Sequence, residues 1–86
     1  MRSMSLDLVE MVMSVEEGFG IDIPDQVAAA FIAQRDIIDY LFSEFKDRYS
    51  RDETAKRVRQ IIEYETGVDI SKYKEDSHFR RDMGID

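Results

Sequence analysis

Residues Ser5 to Phe19 read Ser-Leu-Asp-Leu-Val-Glu-Met-Val-Met-Ser-Val-Glu-Glu-Gly-Phe, and their spacing predicts a helix over Ser5 to Glu17. Leu8, Met11, Val12, Val15 and Phe19 recur at intervals of three and four, which puts them on one helical face. Asp7, Glu10, Ser14 and Glu17 form a polar stripe. Leu6, Val9 and Met13 lie on a third strip beside the acids, so this helix has more apolar surface than one core face requires. Ser5 is a good N-cap, and Asp7 suits the positive end of the helix dipole. Gly18 and Gly20 are expected to end the helix.

Outward from this stretch the chain stays helical. Gly20-Ile21-Asp22-Ile23 reads as an extended connection, Pro24 suits the first turn of a helix, and Asp22 could supply a capping carboxylate. Gln26 to Phe31 is expected to be a short helix, and Arg35 to Tyr49 a longer one with Ile37, Ile38, Leu41, Phe42 and Phe45 inward. The polar stretch Asp47 to Asp52 joins it to a helix over Thr54 to Glu65, with Val58, Ile61 and Ile62 inward and Gly67 as C-terminal cap. Val68 to Asp86 reads as a long loop with at most a short helical turn, pinned by Val68, Ile70, Tyr73, Phe79, Met83 and Ile85. Such a loop in a compact domain usually has a task. The expectation is an all-α, small four-helix bundle.

Composition narrows the function. The 86 residues suit one small domain, and 43% hydrophobic content suffices for a core. There is no cysteine, which removes disulfides, thiolate metal sites and a cysteine nucleophile. His78, the one histidine, reads as a surface or packing residue. No apolar run approaches the roughly 20 residues that span a bilayer. Met1-Arg2-Ser3-Met4 does not resemble a signal peptide, so a cytoplasmic protein without membrane insertion is expected. The net charge of −7 sits wholly in residues 1–47, which hold ten acids against three bases, while residues 48–86 hold nine of each. Phosphate-backbone binding needs the opposite sign, which argues against nucleic acid; an acidic face suits basic protein partners.

Five stretches carry a resemblance. The run from Ser5 to Phe19 resembles the second helix of acyl carrier proteins, which commonly reads D-S-L-D, V-E-L-V-M, L-E-E-x-F. Ile23-Pro24-Asp25 resembles the opening of that family's third helix, and Ile37-Ile38-Asp39-Tyr40-Leu41 its last helix. Val58-Arg59-Gln60-Ile61-Ile62 with Thr66-Gly67-Val68-Asp69 is similar to its first helix and exit. Asp76-Ser77-His78-Phe79 and Asp82-Met83-Gly84-Ile85-Asp86 are similar to the loop that leads into D-S-L. Read cyclically the order is the family's own, and the cut falls inside the D-S-L motif. The resemblance therefore implies an acyl-carrier bundle with family helices II, III and IV over residues 1–46, a joint at 47–53, and helix I with its long loop over 54–86. A joint of seven residues can span up to about 23 Å, and new joints between neighbouring termini are tolerated. Met4 departs from the family's Asp before the serine; Asp86 would take that place in space.

The resemblance implies that Ser5 is the attachment point of a covalent 4′-phosphopantetheine arm, whose thiol holds acyl intermediates as thioesters for enzymes of fatty-acid or polyketide-like synthesis. It also implies a carrier rather than an enzyme. A phosphate at a helix N-terminus meets backbone N–H groups and the positive dipole end. Asp7, Glu10, Glu16, Glu17 and Asp86 would dock basic patches on a phosphopantetheinyl transferase and acyl-processing enzymes, with Leu6, Val9 and Met13 at the centre. Taken alone, Ser5 is an N-cap and the acids a solvated face. An aminoacyl or peptidyl carrier and an unmodified helical interaction module remain alternatives. A monomer is expected, and exchange of halves across Lys46–Asp52 is the route to a swapped dimer.

Overall fold

Residues 6–85 are described by the computed structural model; the expectations for Ser5, Asp86 and the Leu6 side chain lie outside them. Among the described residues there are four α-helices: α1 (Leu6–Phe19), α2 (Asp25–Ala29), α3 (Gln34–Phe45) and α4 (Arg51–Thr66). A 3₁₀ turn follows at Ile70–Lys72, and no described residue belongs to a strand longer than the isolated bridge between Ala33 and His78. No described helix is long and apolar enough to cross a membrane.

α4 packs against both α1 and α3, so it is the central element of the bundle. Its Val58 and Ile62 meet Met11 and Val15 of α1 and Ile37, Ile38 and Leu41 of α3 in one apolar cluster, all fully buried. The stripe read from the sequence is therefore the core face of α1, with Phe19 at its edge. Phe79, Met83 and Ile85 of the long loop enter the same cluster.

Four local details differ from expectation. α4 begins at Arg51 rather than Thr54, because Ser50 and Glu53 form a capping box: the Glu53 N–H donates to Ser50 Oγ at 3.1 Å and the Ser50 N–H to Glu53 Oε1 at 3.3 Å. Gly18 lies within α1 instead of ending it; a Cβ there would come within 2.7 Å of Ile61 Cδ1, so its small size serves the close approach of α4. α2 spans Asp25–Ala29 and has no side-chain cap, so Asp22 does not play that part. The Ile23 N–H instead donates to Glu16 Oε2 of α1 at 2.6 Å, which fixes the path into α2. Finally, α3 ends at Phe45, and residues 46–50 make the turn into α4.

Gly67 ends α4 in the left-handed conformation (φ 74°), with its N–H donating to Glu63 O. Alanine there meets a left-handed penalty of about 1–2 kcal/mol, partly offset by the ~0.4–1 kcal/mol gained from a less flexible unfolded chain. Gly67→Ala should therefore cost about 1 kcal/mol in a urea melt.

The Asp82 carboxylate latches one turn of the loop by accepting the His78 N–H at 2.8 Å. Hydrogen bonds from the Arg81 guanidinium and then from the His78 N–H hold the Asp82 carboxyl below its usual range. A depressed folded-state pKa contributes stability above the ordinary value of ~4, and this is lost as pH falls through the lower folded value. Protection of the His78 amide should therefore fall as the solution is acidified below about pH 4. Protection unchanged between neutral pH and about pH 3 would show that the latch does not exist.

Candidate functional site

The first turn of α1 and the end of the long loop meet at one place. Asp7 and Glu10 of α1, Glu65 and Thr66 from the end of α4, and Val68, Gly84 and Ile85 of the loop line a cavity of about 170 Å³. The loop arrives there through its own bonding. The Met83 N–H donates to His78 O at 3.0 Å, Gly84 turns the chain with φ 70°, and the Ile85 N–H donates to Phe79 O at 2.8 Å. Ile85 is buried in the core, which keeps Gly84 beside α1.

Three carboxylates line this cavity, and Glu65 accepts a hydrogen bond from the Ser14 hydroxyl of α1. A phosphate inside it would meet like charge on several sides. The cavity is thus a wall beside the start of α1 and not a phosphate pocket. Among the described residues no group of three or more His, Cys, Asp or Glu is disposed to hold a metal ion.

Further along α1, Met13, Glu16, Glu17, Gly20, Ile21 and Asp22 surround a shallow hollow of about 360 Å³. Met13 is 54% exposed at its rim and is one of three exposed large apolar side chains among the described residues, with Ile32 and Tyr64. Val9 is half-buried, while Asp7, Glu10 and Glu17 are exposed. Glu16 is half-buried and committed to the Ile23 N–H, so it differs from the other acids of the strip.

The expected site residues therefore divide into two patches on α1. Asp7 and Glu10 sit beside the loop's end, and Met13, Glu16 and Glu17 sit around the hollow before α2. Ser5, Asp86 and the Leu6 side chain fall outside the described residues, and Val9 lines neither patch. Glu65 and Ile21 join these patches without having been singled out from the sequence, and Asp22, expected only as a cap for α2, joins the second. Glu65 has no local signature, because its approach to Ser14 spans 51 residues.

Over 37 residues the chain is 51% identical to the acyl carrier protein of Campylobacter hominis, a match covering 43% of this chain and 47% of that protein. It is 51% identical over 37 residues to the acyl carrier protein of Syntrophobacter fumaroxidans, covering 43% and 46%. To that of Helicobacter pylori it is 46% identical over 37 residues, covering 43% and 47%. The match thus spans about half the length of these curated relatives. No family model and no solved structure matches the chain.

Proposed function

We infer, from the premise that this chain is related to the acyl carrier proteins, that it is itself a carrier with its segments in permuted order. In this reading residues 1–46, with α1, α2 and α3, correspond to the family's second, third and fourth helices. Residues 47–53 are the joint, and residues 54–86 supply the first helix and its loop. Ser5 receives 4′-phosphopantetheine through a phosphodiester at its Oγ. When attached, the arm supplies a thiol on which acyl groups ride as thioesters. The protein holds and presents this cargo, and partner enzymes of acyl metabolism break and form the bonds.

The observation that carries the reading is the meeting of Gly84 and Ile85 with Asp7 and Glu10 around one cavity. Those pairs flank the two halves of the D-S-L motif, which are far apart in sequence and joined by no direct peptide bond. The arm fits the place as a tether to the surface. Ser5 directly precedes α1, and the first turn of a helix favours a phosphate through its N–H groups and dipole. The carboxylates of Asp7, Glu10 and Glu65 keep that phosphate out of the neighbouring cavity. Asp7, Glu10 and Glu17, with Met13 and Val9 between them, form the docking strip for basic partners such as the transferase that loads the arm. Leu6 and Asp86 would extend that strip toward Ser5, and Glu16 adds charge while also holding Ile23.

Incubation with coenzyme A and a phosphopantetheinyl transferase of broad specificity, followed by intact-mass measurement, tests this. One added phosphopantetheine group is expected, and none in Ser5→Ala. An unchanged mass, or a gain that persists in Ser5→Ala, would overturn the assignment.

A further inference from the structure

We propose that Arg59 and Gln34 form a clasp that fastens the long loop to α3 and α4 and so keeps its end beside α1, doing by side-chain bonding what a direct peptide link between loop and serine does in an unpermuted order. This rests on the carrier reading of Ser5, and it assigns both as positioning residues for loading of the arm.

Arg59 on α4 uses both terminal nitrogens of its guanidinium. Nη1 donates to Gln34 Oε1 at 2.8 Å, and Nη2 donates to the carbonyls of Ile70 and Tyr73, each at 2.8 Å. Gln34 opens α3 and is fully buried. Its Nε2 donates to Lys74 O at 3.3 Å and contacts Met83 Sδ at 3.5 Å. The pair thus ties the start of the loop at residues 70–74 and its far end at Met83 to the two helices of the core. Backbone bonds add to it: Arg35 N–H to Glu75 O at 2.9 Å and Phe79 N–H to Ile32 O at 2.8 Å. Among the described residues no buried side-chain polar atom is left without a partner, so the network is complete.

Its position gives it a functional reach. Met83 precedes Gly84 and Ile85, the residues that stand beside Asp7 and Glu10. Met4, not Asp86, is bonded to Ser5, so nothing local in the sequence holds the two halves of the motif in register. Opening of the loop would leave α1 intact and scatter the surface that a loading enzyme must grip. Local opening of this kind is governed by the bonds of the segment itself rather than by global stability.

The test compares the native chain with Arg59→Met and Arg59→Lys. Amide exchange is read at Phe79 and Ile85 in the loop and at Ile38 in α3, and loading of Ser5 is read by kcat/KM with coenzyme A and a broad transferase. The third arm is a rearranged chain in which Asp86 is followed directly by Ser5 and the opening lies between Asp47 and Arg48. Arg59→Met removes three part-buried hydrogen bonds of a charged group and should speed exchange at Phe79 and Ile85 by at least about tenfold more than at Ile38. Loading of the native order should fall by about tenfold, mainly through KM, and by less than about threefold in the rearranged chain. Arg59→Lys, which keeps the charge without the planar fork, should lie between and guards against a methionine variant that does not fold. Equal changes at all three amides, or an equal loss of loading in both chain orders, would overturn the clasp. If the native chain takes no arm at all, it is the carrier reading that fails, and the exchange data alone then decide whether Arg59 holds the loop.

Discussion

Phe79→Ala is expected to lower the stability of this protein by about 3–5 kcal/mol, as removal of a buried aromatic ring does when its surroundings cannot collapse. Phe79 is 1% exposed and belongs to the central cluster with Ile37, Ile62 and Met83. A chain of 86 residues has a total stability of the order of 4–13 kcal/mol at typical values per residue, so the loss is a large share of the whole. The backbone of Phe79 also bonds on both sides, its N–H to Ile32 O and its carbonyl to the Ile85 N–H. A cavity there should therefore loosen the loop's end first. Urea unfolding gives the cost, and a value below about 1 kcal/mol would mean that the loop is not part of the cooperative core. Phe79→Leu, which keeps most of the volume, should cost distinctly less.

Reversing two acids of α1, Glu10→Lys with Glu17→Lys, is expected to reduce the kcat/KM of arm loading by about 10- to 100-fold at low salt. Both side chains are exposed and lie seven residues apart on one face, and neither makes a described ion pair. Their loss should therefore act on encounter with a basic partner more than on folding. Raising ionic strength shortens the reach of the field to about 3 Å at 1 M. The gap between native and reversed chains should then narrow, chiefly through the native protein becoming slower. A gap that stays constant with salt would remove electrostatic docking from the reading. Glu16 is left out of this design because its carboxylate holds the Ile23 N–H, and reversing it would disturb the entry to α2.

Much of the fold was legible because it depends on near neighbours. The stripe Leu8, Met11, Val12 and Val15 repeats with the helical period, and these residues are the buried face of α1. The cap at Gly67 follows from the conformational freedom of glycine. The start of α4 was legible too, in the pattern Ser50-x-x-Glu53, but the polar run around it disguised the signal and the expected boundary fell three residues late. Gly18 was misplaced for a different reason. A glycine near a helix end looks like a terminator, and only the approach of Ile61 from another helix reveals why it is small.

By itself the sequence determined the helices and the acidic half, since periodicity, caps and charge are properties of residues within a turn or two of each other. The tertiary structure alone decided that Gly84 and Ile85 stand beside Asp7 and Glu10, that Glu65 joins them, and that Glu16 is tied to Ile23. It also decided that Arg59 and Gln34 close the loop, through partners 11 to 49 residues away in the chain. Such pairings depend on the path of the folded backbone through space, and no local pattern of residue types encodes where that path brings two side chains together.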